Sequence, residues 1–103
     1  MLGSPGGSRI ITTVANILMG VVDYGMNIQQ AVNAPRFHHQ WLPDTVDVEP
    51  GISAETVRLL DKMGHKVEVQ PNWSDGVCIA IDLATGERLG ASDFRNHGKA
   101  VGY

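Results

Sequence analysis

A chain of 103 residues, 43% of them hydrophobic, can bury one compact core and no more. Its formal charge of −3 at pH 7 offers no basic field for nucleic acid or an anionic lipid surface. A single cysteine, Cys78, excludes an internal disulfide and a cysteine-based zinc site, and charged residues at 18% are few enough to suggest surface that a partner normally covers.

In chain order, the first periodic segment predicts a helix from Ser8 to about Tyr24. Ile10, Val14, Leu18 and Val21 fall on one face, with Ile11, Ile17 and Val22 beside them. More than half its girth is apolar, so burial on two sides is expected. Gly25 is suited to close it in the left-handed conformation. Asn27 is placed to cap a second helix, roughly Ile28 to Ala34, which Pro35 ends by disfavouring helical geometry at Ala34. The aromatic and charged stretch "RFHHQWLPD" reads as a structured loop. "TVDVEP" alternates Val46 and Val48 with acids and reads as a short strand, stopped by Pro50 and Gly51. Ser53 caps "AETVRLLDKM", where Val57, Leu60 and Met63 share a face, and Gly64 stops that helix. "HKVEVQP" reads as a further strand. "VCIAIDL" is apolar on both faces, as in a strand inside a layered fold, with Cys78 a buried small hydrophobe. "ATGE" is the turn and "RLGAS" the return strand of a hairpin, and the tail "DFRNHGKAVGY" reads as loop. This order predicts a single α+β domain over residues 1–103, its helices packed on a mainly antiparallel sheet. No secretory n-region and h-region occur, and no apolar stretch is long enough to span a bilayer. As it stands the chain reads as soluble, cytoplasmic if expressed in this form, with neither a membrane nor a nucleic-acid partner.

The segment "GSPGGSR" enters the first helix through two adjacent glycines. A helix N-terminus leaves its first amides without partners and carries a partial positive charge. Without side chains at Gly6 and Gly7, an anionic atom can approach those amides closely, while Pro5 stiffens the entry. Two amides aimed at one point could hold a phosphate, a carboxylate or the oxyanion of an acyl-transfer intermediate. The same glycines also suit a tight turn with close helix packing. Neither GxxxxGKS/T nor GxGxxG is present, so a nucleotide loop is not supported.

Other chemically suggestive residues have structural readings. His38 and His39 are adjacent in an extended segment and point apart, which suits a loop held by hydrogen bonds and an Arg36 salt bridge or stacking contact better than a metal site or a general base. His65 and His97 are isolated and expected in solvent. Asp44, Asp47 and Glu49 lack the glycine and terminal glutamate of an EF-hand and read as a solvated edge. Asp93 and Arg95 read as an ion pair pinning the C-terminal loop, consequential only if buried. Ser4 and Ser8 have no base and no GxSxG elbow; Ser8 belongs to the first helical turn, and Arg9 to a solvated or interdomain contact. Neither a metal nor a cofactor is expected.

"GSPGGSRIITTV", then "NAPRFHHQWLPD", then a glycine–tyrosine terminus after "GASDFR", resembles the C-terminal part of the γ-glutamyltranspeptidase small subunit from Leu2 to Tyr103. The resemblance implies part of the αββα sandwich of N-terminal-nucleophile hydrolases. In that family a precursor cleaves itself to expose a threonine, whose hydroxyl attacks the γ-glutamyl amide of glutathione or related compounds. It also implies that Gly6 and Gly7 form the oxyanion hole through their backbone amides; substrate-binding positions stay unassigned. The family's threonine lies upstream of the glycine motif. Thr12 and Thr13 sit within the apolar helix, do not resemble the cleavage sequence, and read as packing residues. The chain is therefore expected to be inactive alone, as a truncated gene product or a segment cut from a longer protein. Its expected partners are the large subunit and the rest of the small subunit, with self-association or a rearranged Met1–Arg9 loop when it is isolated. Complete members are commonly periplasmic or extracellular. From the residues alone, a small-anion-binding module or a partner subunit using the Gly6–Gly7 helix terminus stays open.

Overall fold

The computed structural model describes residues 1–102. Helix α1 spans Arg9–Val22 and buries Thr13, Ile17 and Gly20. These positions recur at three- and four-residue spacing, one stripe of the helix. The stripe packs against α2, Ile28–Asn33, where a Cβ on Gly20 would lie 3.0 Å from the Ala31 Cβ. A larger residue at position 20 would push the two helices apart. Asn27 caps α2 in a full capping box: its side chain accepts from the Gln30 amide at 2.8 Å, and the Gln30 side chain accepts from the Asn27 amide at 3.0 Å. Ala34 leaves the helix at ψ 141°, as the following proline requires. Gly25 adopts φ +63°, just beyond the α1 terminus.

Two three-stranded sheets complete the fold. In the first, β1 (Leu2–Gly3), β5 (Val77–Ile81) and β6 (Arg88–Ala91) are antiparallel in the order β1-β5-β6, with Leu2 opposite Cys78 and Cys78 opposite Ala91. In the second, β2 (Phe37–His38) pairs antiparallel with β3 (Val46–Val48), which pairs parallel with β4 (Val67–Val69) through α3, Ala54–Lys62. Three of the four strand pairs are thus antiparallel. Ser53 caps α3 by accepting from the Thr56 amide at 3.1 Å. The main core gathers Ile17, Ala31, Val32, Cys78 and Ala91, with Leu2, Met26 and Ile28 against it.

Four expectations need correction. Phe37–His38 is a strand and not loop; two residues are too few to display a period in the sequence. Met63 does not join the covered face of α3, because the helix ends at Lys62 and Met63 stands exposed at its C-cap. Helix α1 is covered along the Thr13, Ile17 and Gly20 stripe and not along the expected Ile10, Val14, Leu18 and Val21 face, of which Ile10, Leu18 and Val21 stand exposed, as do Ile11 and Val22. Strand β5 likewise buries Cys78 but exposes Val77, Ile79 and Ile81. The described residues pack α2, β2 and β1 against α1 and α2 against β5, and supply nothing for the opposite face of either.

Candidate functional site

Gly6 and Gly7 lie immediately before α1, at φ +130° and +60°, backbone conformations that side-chain-bearing residues rarely adopt. Their carbonyls accept two turn bonds that lead into α1, from the Arg9 amide at 3.1 Å and the Ile10 amide at 3.2 Å. Among the described residues neither glycine amide donates a hydrogen bond. Both glycines are exposed, Ser8 makes no capping bond, and the first turn of α1 carries no acid. The positive end of the helix therefore meets solvent with no carboxylate or hydroxyl of its own to offset it. The structure thus gives the glycine pair two free donors and the space for an anion to approach them.

The wall behind the glycine loop is the turn Trp73–Gly76. Ser74 adopts φ +54°, and a Cβ built on Gly6 would overlap its Oγ. Trp73 is buried, and the Arg9 guanidinium stacks 4.7 Å above its ring. Arg9 also donates to Asp47 Oδ2 at 2.7 Å. Arg9 and Asp47 thus join each other instead of standing in solvent, which ties the first turn of α1 to strand β3.

A buried ion network anchors this wall. Asp93 accepts from the Arg36 guanidinium at 2.5 Å, from Arg95 Nη1 at 3.0 Å, and from the Gly76 and Arg95 amides at 2.7 and 3.0 Å. Glu49 takes Arg95 Nε at 2.7 Å and Arg95 Nη2, and its oxygens also accept from the Arg36 and Trp73 amides at 2.9 and 3.2 Å. Arg36 Nη1 returns a bond to the Trp73 carbonyl at 3.2 Å, so the turn is held through Trp73 N, Trp73 O and Gly76 N. All four side chains are at most 2% exposed. Burial alone would raise the Asp93 carboxyl; the amides of Arg95 and Gly76 and both guanidiniums outweigh it and hold the group below its usual value of 3.8. Burial would lower the Arg95 guanidinium, but Glu49 and Asp93 raise it. Asp93 and Arg95 are the expected pair, deeply buried. Glu49 corrects the expectation of a solvated edge: it faces inward from the residue after β3, at the heart of the network. The contact expected of Arg36 is an ion pair with Asp93, 57 positions away, a partner that no local pattern marks, and Glu49 carries no local signal of its place.

The histidines also separate. His38 is buried, with Nδ1 2.7 Å from Thr12 Oγ1 and Nε2 3.1 Å from Gln40 Oε1, which also accepts from Ser8 Oγ at 2.8 Å. This chain stitches β2 to the first turn of α1, a role for Gln40 that its sequence context gave no sign of. His39 points the other way, to exposed Asp44 at 3.1 Å. His65 and His97 are exposed, and Cys78 is buried, with its thiol pushed up by burial. Thr13 is fully buried in α1, as a packing residue. Among the described residues no group of three or more His, Cys, Asp or Glu side chains could hold a metal ion, and no helix is long and apolar enough to cross a membrane.

Comparison with known proteins gives a consistent result. The profile of the family described as Gamma-glutamyltranspeptidase matches residues 1–103. The glutathione hydrolase proenzyme of Escherichia coli (strain K12) is 50% identical over 94 residues, covering 91% of this chain and 16% of that protein. Among solved structures, γ-glutamyltranspeptidase from Pseudomonas nitroreducens complexed with L-DON superposes with a TM-score of 0.88 at 34% identity, covering 99% of this chain and 54% of that one. A mutant of the Helicobacter pylori γ-glutamyltranspeptidase gives 0.83 at 43% identity, covering 92% and 53%. The chain therefore spans about half of these solved chains and a much smaller share of the curated proenzyme.

Proposed function

The chain belongs to the γ-glutamyltranspeptidase family, and from that premise we propose that it is the C-terminal segment of the small subunit, supplying the backbone donors of the oxyanion hole. The family is one of enzymes, acyltransferases and hydrolases of glutathione metabolism. The reaction needs a nucleophile, a developing oxyanion and a leaving amine. A threonine hydroxyl contributed from outside these 103 residues attacks the γ-glutamyl carbonyl, and its proton passes to a base, for which the threonine's own α-amine serves. As the C–O bond forms, negative charge collects on the former carbonyl oxygen. Gly6 and Gly7 donate their amides to that oxygen, the α1 dipole adds to them, and neither group must reorganise as charge develops. As the intermediate collapses, the base returns its proton to the leaving nitrogen, the C–N bond breaks to free the amine, and an ester remains, which water or an acceptor amino acid resolves through a second oxyanion at the same donors.

The observation that carries this reading is the pair of exposed, unengaged amides at Gly6 and Gly7, in left-handed backbone ahead of a helix with no acid in its first turn. In support, the word "proenzyme" in the relative's name fits a self-cleaving precursor, and the short coverage of that relative fits a segment whose nucleophile, large subunit and substrate grip lie elsewhere. The donor would be glutathione or a related γ-glutamyl amide.

The experiment is release of chromophore from a γ-glutamyl anilide, by the 103-residue chain alone and by the chain together with the nucleophile-bearing remainder of the enzyme. We expect a blank from the chain alone and turnover from the combination. Turnover by the chain alone, surviving repurification and lost on Gly7→Val, would place the nucleophile inside these residues and overturn the proposal. Saturable binding of small carboxylates with no turnover in either arrangement would leave an anion-binding module in its place.

A further inference from the structure

The Ser74 side chain is built against Gly6 in a way that the oxyanion reading does not explain. Any Cβ at Gly6 would collide with the Ser74 hydroxyl, so the glycine and the serine already stand in contact distance through the Gly6 Cα. Ser74 holds this place in the left-handed region at φ +54°, a strained conformation for a serine that Asn or Gly would adopt more readily. Its Oγ is buried and has no hydrogen-bond partner among the described residues. A strained backbone and an unengaged buried hydroxyl are both unfavourable, and the segment stays in place because its neighbours over-determine it. Trp73 is gripped at N by Glu49 and at O by Arg36, and Gly76 is gripped at N by Asp93. Those three side chains belong to the ion network, every member of which is buried. Close packing of this kind is stiff on the scale of a few tenths of an ångström. On its other side the turn meets α1 through Trp73 and the stacked Arg9.

We infer that Ser74 is a positioning residue for the oxyanion donors: it is the stop against which the Gly6–Gly7 loop rests, and the buried network holds that stop in place. The inference rests on the assignment of Gly6 and Gly7 as donors. Displacing Gly6 rotates the two peptide planes and swings the amides off the point where charge develops. Hydrogen bonds to an oxyanion weaken steeply with misalignment, whereas ground-state binding is made elsewhere, so the effect falls on kcat and not on KM.

The test is Ser74→Asn in the assembled enzyme, with Gly7→Val assayed in parallel. Asn tolerates the left-handed backbone, so the substitution adds bulk against Gly6 without adding backbone strain. We expect kcat for a γ-glutamyl anilide to fall about tenfold or more, with KM unchanged within about threefold and a thermal midpoint close to that of the parent. Ser74→Ala, which drops Oγ and keeps Cβ, falls between the parent and the Asn variant. Retained kcat in Ser74→Asn, with kcat lost in Gly7→Val, overturns the positioning role and leaves the oxyanion assignment standing. Retained kcat in both overturns the two together. A change confined to KM also overturns the inference, because Ser74 would then touch the substrate instead of setting the loop.

Discussion

Gly6 and Gly7 owe their place to backbone conformations of φ +130° and +60°, and Gly6 also to the serine behind it. Gly7 has open space around it, so replacing it disturbs the loop through strain alone. In the assembled enzyme Gly7→Val is expected to lower kcat about a hundredfold, the loss typical of one oxyanion donor; anilide turnover at saturating substrate measures it. Asp93, in the network behind the glycine loop, supports a prediction about stability. Its folded-state carboxyl lies below the unfolded value, so its contribution to stability is complete above that value and is lost as pH falls through the folded one. The urea midpoint of Asp93→Asn should therefore lie well below the parent's near pH 7, with the gap closing below about pH 4. A gap independent of pH would contradict the ionised role. Arg95→Met removes the cation facing both Glu49 and Asp93 and should cost about 3–5 kcal/mol in the same titration at neutral pH, because it strands buried negative charge. The glycine pair was legible in the sequence because the chemistry of a helix entrance is local. The Asp93–Arg95 pair was legible for the same reason, but its joining to Arg36 and Glu49 was not, because a buried ion pair between positions 36 and 93 leaves no pattern in either neighbourhood.

At the scale of elements, caps and stops did most of the ordering. Asn27 with Gln30, Ser53 with Thr56, and the glycines at 25 and 64 all mark helix ends that a reader of the sequence can find. Asn27→Ala is expected to cost about 1 kcal/mol, measured by chemical denaturation, since the capping box loses its acceptor. Gly20→Leu should cost more, roughly 1–3 kcal/mol, because the α1–α2 contact at Ala31 has no room for a side chain. Strand β2 escaped the sequence reading because its order comes from pairing with β3 and from the His38 bonds to Thr12 and Gln40, not from any alternation of its own. The parallel β3–β4 pair was equally hidden. Each strand shows its alternation, but which neighbour it chooses depends on the α3 crossover.

For the whole molecule, the apolar surface left open is the telling feature. Leu18 and Val22 on α1, and Val77, Ile79 and Ile81 on β5, are all more than 45% exposed. Sequence periodicity marked these residues for burial, and it was right about their character while silent on what covers them. Isolated, the chain is expected to associate with itself through these faces, and Ile79→Lys should shift its sedimentation toward the monomer. Concentration-independent monomer for the parent would contradict this. The proposed oxyanion role depends on Gly6 and Gly7 presenting free donors to an anion. The direct measurement is the amide spectrum of the 15N-labelled chain titrated with acetate. Saturable shifts at Gly6 and Gly7 that exceed those of the remote glycines 64 and 86 are expected; shifts no larger than at those positions would contradict the oxyanion role.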